Sequence, residues 1–166
     1  MSAGRIRIYA FTVLALLLTA PSLMTGQERP PENIFFTLKS AGNFKTLIKA
    51  IEAAGLVDTV KGSGPFTLFA PTDEAFSKLP AGELEDLLKP ENKEKLRAIL
   101  IYHILPEKVM ASDMAGLSEA KTLKRTKLKI ESGGGLIKID GATVVRQDLA
   151  ASNGVIHVID TLLTPK

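Results

Sequence analysis

Cysteine is absent from the 166 residues. Neither a disulfide nor a thiolate metal centre is open to this chain, and the lipid-carrying cysteine of a bacterial lipoprotein is missing as well. None of the asparagines opens an Asn-x-Ser/Thr sequon, which together with the missing disulfides suits a bacterial cell envelope better than an animal matrix. Histidine occurs only at His103 and His157, so these two residues exhaust any imidazole chemistry. Tyrosine is confined to Tyr9 and Tyr102, and no aromatic ladder for single-stranded nucleic acid can be built from them. The formal net charge is only +3, too small to argue for a nucleic-acid partner.

The first 26 residues have the layout of a secretory signal. Arg5 and Arg7 precede an apolar run from Ala10 to Ala20, and small residues with Pro21 follow. The run falls short of the roughly 20 apolar residues that a membrane span needs. Cleavage sites are available after Ala20, Ser22 or Gly26, and Ser22 best fits the small-x-small rule. An uncleaved signal acting as an anchor is the alternative, and the only route by which the chain would meet a membrane. The expected organisation is a signal over residues 1–26, a polar lead-in over 27–31 and one domain over 32–166. Export would place that domain outside the cytoplasm, secreted or periplasmic.

Hydrophobic periodicity divides the domain in two. Phe44, Leu47, Ile48, Ile51 and Ala54 repeat at helical spacing after Asn43, the expected cap, and Gly55 stands where a helix should stop. Phe66–Ala70 reads as a strand with both faces covered, ended by Pro71. Thr72 or Asp73 then caps a short helix carrying Phe76 and Leu79. Helical spacing returns from Ala81 to Ile104, broken at Pro90, with Leu96, Ile99, Leu100, His103 and Ile104 on one stripe. Short alternating segments follow ("KVMASDM", "KLKIES", "LIKID", "ATVVRQD", "GVIHVID"), with hairpin turns expected at Gly133–Gly135 and Asp140–Gly141. Helices early and strands late indicate an α+β fold.

Three stretches carry a family resemblance: "FTLFAPTDEAF" (66–76), the Tyr102–His103 pair at a helix end, and "SNGVIHVIDTLLTP" (152–165). In order and spacing they resemble the fasciclin domain, and the segments between them are similar to the same family. The resemblance covers nearly all of residues 32–165. It implies a wedge-shaped β-sandwich with helices packed around one edge, and an exported, non-enzymatic adhesion or interaction module that needs no cofactor. The motif set occurs once, as in single-domain bacterial members. Its residues Thr67, Phe69, Pro71, Thr72, Asp73, Phe76, Tyr102, His103, Asn153, Gly154, His157 and Asp160 are expected to build the scaffold.

Several groups invite a chemical reading. Thr72, Asp73 and Glu74 place carboxylates at a strand-to-helix corner, where one could act as a base or bind a cation. The same residues satisfy backbone donors at a helix start, which is reason enough for their presence. No nucleophile elbow accompanies them, and no metal-ligand spacing links the histidines. A hydrolase using His103 would need that residue in an open cleft; otherwise a buried imidazole bonded to the Thr67–Asp73 corner is expected. A small-molecule or lipid carrier would need an apolar cavity between sandwich and helices. Finally, Lys121, Lys124, Arg125, Lys127 and Lys129 form a basic run. They are candidate contacts to a protein or an anionic polymer at a cell surface or matrix, or lysines that guard an edge strand.

Overall fold

The structure, a computed structural model, describes residues 32–165; the expected signal and lead-in lie outside them. Within these residues three short helices come first: α1 (Ile34–Ala41), α2 (Lys45–Ala53) and α3 (Val57–Lys61). Strand β1 (Phe66–Pro71) then leads into α4 (Asp73–Ser77), α5 (Glu83–Leu87), a 3-10 turn at Pro90–Asn92, and α6 (Lys93–Tyr102). After β2 (Ile104–Leu105) and α7 (Ala111–Met114) the chain is β-structure: β3 (Glu119–Lys121), β4 (Lys127–Gly133), β5 (Leu136–Ile139), β6 (Ala142–Ala151) and β7 (Gly154–Ile159).

The strands form one mixed sheet in the order β2-β1-β7-β6-β5-β4-β3. Among the described strands only β1 and β7 run parallel, from Phe66 opposite Gly154 to Pro71 opposite Ile159. Alternation along this central pair divides the core. Leu68, Ala70, Ile156 and Val158 pack under the helices against Leu38, Leu47, Ile51 and Leu100. Phe69 and Ile159 point the other way, into a second core with Leu128, Ile130, Ile137, Ile139 and Met114. Both faces of β1 and β7 are therefore covered, as their largely apolar sequences require.

The sheet is folded over on itself. Strand β6 slips register against β7 twice, between Val144 and Arg146 and between Arg146 and Leu149, and such bulges bend a strand and increase its twist. The β5-β4-β3 limb swings back over β1 and β7 and encloses the second core. Just past β3, Leu123 N–H donates to Ile104 O of β2 at 2.8 Å, so the two edge strands meet and the curl nearly closes. Strands β5 and β6 pair only at Lys138–Thr143 and Ile139–Ala142. The Asp140–Gly141 turn joins them with φ of 48° and 92°, the left-handed pair of a tight hairpin.

The architecture is the expected α+β, with local departures. Helices α1 and α3 lie on stretches to which the sequence reading assigns no element. Asn33 caps α1 by accepting from Phe36 N at 3.1 Å. The "KVMASDM" stretch, expected to be extended, makes α7 over its last four residues, where Asp113 turns back to accept Met110 N–H at 3.0 Å. Asn43 does not cap α2 with its side chain; the helix starts after Phe44 and takes its acceptor from another part of the chain, described below.

Asn153, in the β6–β7 turn, ties the start of α1, the end of α3 and the approach to β1 to the sheet. Its side-chain oxygen accepts Ile34 N–H at 2.9 Å, and its amide donates to Val60 O at 2.8 Å and Gly62 O at 2.7 Å. Its backbone carbonyl accepts Phe66 N–H at 3.0 Å. Gly154 follows because a Cβ there would collide with Phe66 O. Replacing Asn153 with Ala strands one buried donor and two carbonyls. The expected loss is on the order of 3 kcal/mol, read as a lowered urea midpoint with unchanged slope.

Candidate functional site

The strand-to-helix corner after β1 is a junction between helices. Thr72 Oγ1 accepts Ala75 N–H at 3.2 Å and caps α4. Asp73 serves a different helix. Its carboxylate accepts Thr46 N–H at 2.7 Å and Lys45 N–H at 3.3 Å, filling the open donors at the start of α2, while its own N–H donates to Asn43 O at 3.1 Å. Burial works to raise the Asp73 pKa, but the hydrogen bonds from Thr46 and Lys45 outweigh it and hold the group below the usual carboxylate range. A carboxylate stabilised as an anion by two backbone donors is a weak base. Phe76 is buried beneath the corner and Glu74 is exposed.

Both histidines are fully buried. His103 Nδ1 lies 2.8 Å from Ile99 O and therefore carries the proton, leaving Nε2 to accept Leu163 N–H at 3.0 Å. The expected bond from this ring to the Thr67–Asp73 corner is not made. Only the His103 carbonyl reaches β1, accepting Phe69 N–H at 2.9 Å, because the side chain at the end of α6 points toward the C-terminal segment. Burial lowers the His103 pKa to about 4, opposed by the bond to Ile99. The ring has no free lone pair and no solvent access, so the cleft that a hydrolase would need does not exist at this residue.

His157 takes the other tautomer. Its Nε2 donates to Val109 O at 2.8 Å, and Nδ1 accepts Asp148 N–H at 3.3 Å. Its ring lies against Phe69, with centroids 5.9 Å apart. Thr67 holds the same loop, donating to Glu107 O at 2.6 Å and accepting Val109 N–H at 2.8 Å. The remaining motif residues are also structural partners. Asp160 accepts Thr143 N–H at 2.9 Å, and its backbone N–H donates to Thr143 O, clasping β6 to the end of β7. Tyr102 donates its hydroxyl to Asp140 at 2.5 Å; burial, then this carboxylate, raises its pKa. Pro71 closes β1 beside Ile159.

Among the described residues, no group of three or more His, Asp or Glu side chains is placed to hold a metal ion. The apolar space between sheet and helices, lined by Ile34, Thr59, Val60, Phe66, Leu68 and Ile104, is only about 10 Å³. That is far below the several hundred Å³ of a small-molecule pocket, so the carrier's cavity is not built there. Larger hollows are open to solvent: one of about 380 Å³ beside Tyr102, Lys127, Lys129 and Asp140, and one of about 460 Å³ between α7 and the β4–β5 hairpin.

The basic run is split by its pairing. Lys127 contacts Glu119 at 2.6 Å and Lys129 contacts Glu131 at 2.5 Å, and these carboxylate partners raise the pKa of both lysines. Both lysines stand on β4, one strand in from the edge. Lys121, on edge strand β3, and Lys124 and Arg125, in the turn that follows, are exposed and outside the salt bridges formed among the described residues.

A curled mixed sheet, joined by a parallel β1–β7 pair and layered with helices, defines an α+β scaffold. Its affiliation is specific: the Fasciclin domain family matches residues 42–165, and the chain belongs to that family. It is 43% identical over 149 residues to Protein sll1483 of Synechocystis sp., covering 89% of this chain and 82% of that protein. Uncharacterized protein sll1735 of the same organism is 40% identical over 79% of this chain and 96% of its own length. The chain also matches Transforming growth factor-beta-induced protein ig-h3 of Sus scrofa, at 38% identity over 82% of this chain, and spans only 20% of that protein. The fold is that of a solved FAS1 domain pair from the insect cell adhesion molecule Fasciclin I, with a TM-score of 0.71 at 21% identity over 82% of this chain and 52% of that one.

The His103 geometry sets a pH dependence. An unfolded histidine titrates near its ordinary 6.5, whereas folded His103 is held at about 4. The unfolded state therefore binds more protons between these values. The contribution of this ring is complete above pH 6.5 and is lost as pH falls through the window toward 4, by about 3 kcal/mol in all. A melting series from pH 7.5 to 4 should show that fall. In His103→Ala the melting temperature should be lower at pH 7.5 and this part of the pH dependence absent.

Proposed function

We propose that this protein is exported and acts as a secreted or periplasmic adhesion or interaction module, binding a protein or an anionic polymer through its surface without catalysing a reaction. One observation carries the reading. Among the described residues no buried side-chain nitrogen or oxygen lacks a hydrogen-bond partner, so the polar motif residues are committed to holding the fold and recognition falls to the exterior. The similarity to a fold found in an insect cell adhesion molecule supports the same reading. The proposed organisation is a removable signal over residues 1–26, a lead-in over 27–31 and the domain over 32–166. None of the described helices is long and apolar enough to cross a membrane.

For an anionic partner, the proposed contact is the β3–β4 turn with Lys121, Lys124 and Arg125. Lys127 and Lys129, already neutralised by Glu119 and Glu131, are secondary. Attraction through exposed charges weakens with salt, since screening acts over about 8 Å at physiological ionic strength. Retention on a sulfated polysaccharide column should therefore fall with salt. It should fall further in a Lys121→Glu, Lys124→Glu, Arg125→Glu variant with unchanged melting, and less in Lys127→Glu, Lys129→Glu. Equal retention of both variants and the unaltered chain would remove this face from the proposal. N-terminal sequencing of protein recovered from cell fractions should find Leu23 first; an intact Met1 in the membrane fraction would establish the anchored alternative.

A further inference from the structure

Helix α7 is held from outside itself by a residue that also touches a histidine. Asp148 sits in the second bulge of β6 with φ of 54°, a left-handed conformation that aspartate adopts more readily than other residues with a Cβ and that hydrogen bonds can hold in place. Two bonds hold it here. The Asp148 N–H donates to His157 Nδ1 at 3.3 Å, and its carboxylate accepts Ala111 N–H, at the first residue of α7, at 2.9 Å. Ring, bulge and helix start are thus joined in series through one residue, and the ring is the member that can change its proton count.

We propose that His157, Asp148 and Ala111 form an acid-sensitive latch: a proton added at His157 Nδ1 releases the β6 bulge and frees the first turn of α7. The neutral ring offers Nδ1 as an acceptor. The protonated ring presents an N–H there, facing the Asp148 N–H, so that bond is lost and two donors oppose one another. The bulge then gives up its left-handed conformation, and the carboxylate leaves Ala111 with it, since both groups belong to one residue. At the far side of the ring nothing changes, because Nε2 donates to Val109 O in either state. The Thr67 hydroxyl, which holds Val109 N–H at 2.8 Å, is likewise indifferent to pH.

The surroundings keep the trigger local to Asp148. The ring faces Phe69 on β1 and the Val109 carbonyl on the preceding loop. Asp148 is the charged group that acts on it, favouring the proton, while burial opposes the proton and dominates. Glu107 and Lys108 on the loop, Asp113 on α7 and Arg146 on β6 are exposed. The latch therefore opens below the ordinary histidine range. What it moves is a wall: Ala111, Ser112 and Ala115 line the 460 Å³ hollow facing Leu136 and Gln147, so the hollow changes shape when α7 loosens.

Amide hydrogen exchange followed by NMR from pH 7.5 to 4.5, corrected for the intrinsic pH dependence of exchange, tests the latch in the unaltered chain. Protection of the Ala111 amide should fall about tenfold, the equivalent of one lost hydrogen bond, with the same midpoint as the His157 ring signals. Val109 and Leu68 should stay protected through that range. In His157→Gln, which retains a donor toward Val109 and cannot titrate, Ala111 protection should be level with pH. In Asp148→Ala it should be low at every pH. The latch is overturned if Ala111 stays protected while His157 titrates, if it opens only together with Leu68, or if His157→Gln opens alike. Should His157→Gln not fold, the agreement or disagreement of the two midpoints in the unaltered chain decides.

Discussion

The structure depends on a single amide side chain at the turn between β6 and β7. Asn153 reaches the start of α1, 119 positions earlier, and the end of α3, about 90 positions earlier. A primary amide offers two donors and an acceptor in one plane, and here all are used on backbone groups left open by helix ends and by the approach to β1. An aspartate of the same size would have no proton to give to Val60 O and Gly62 O, and a shorter side chain would not reach them. The close approach of Phe66 to Gly154 completes the junction, since only a residue without a Cβ lets β1 lie in register there.

The same economy governs the polar residues within the folded sheet. Thr67, His103 and His157 each bind backbone groups of segments with little regular structure of their own, while Asp148 and Asp160 bind the start of α7 and of β6. Buried backbone donors and acceptors must be paired, and a loop cannot pair its own. A motif dense in threonine, histidine and aspartate therefore need not be reactive. Its density reflects how much irregular chain has been drawn against the sheet.

Much of this was legible in the sequence, for identifiable reasons. The central strands announce themselves because both their faces are apolar, and the tight turns because Gly134, Gly135, Asp140 and Gly141 adopt positive φ. Thr72 reads as a cap because its partner, Ala75, is three residues away. The long-range partners were hidden. Asp73 stands in a good local capping position yet serves α2, whose own neighbour Asn43 contributes only a backbone carbonyl. His103 falls on the apolar stripe as periodicity requires, but its acceptor nitrogen meets Leu163, 60 residues on. The lysines at 127 and 129 stand in the basic run of the sequence, but a cross-strand and a next-but-one acid pair with them. Helix α1 escaped notice because its eight residues are too few for periodicity to stand out.

The parallel pairing of β1 with β7 joins positions near the beginning of the domain to the last strand of the chain. A polypeptide threaded through a membrane pore with its N-terminus leading would deliver β1 long before the strand that must lie beside it. Until Gly154–Ile159 emerges, β1 can have β2 on one side but an open ladder on the other, so the central core cannot set. In any such N-to-C delivery the topology would defer consolidation of the central core until the last of the described strands arrived.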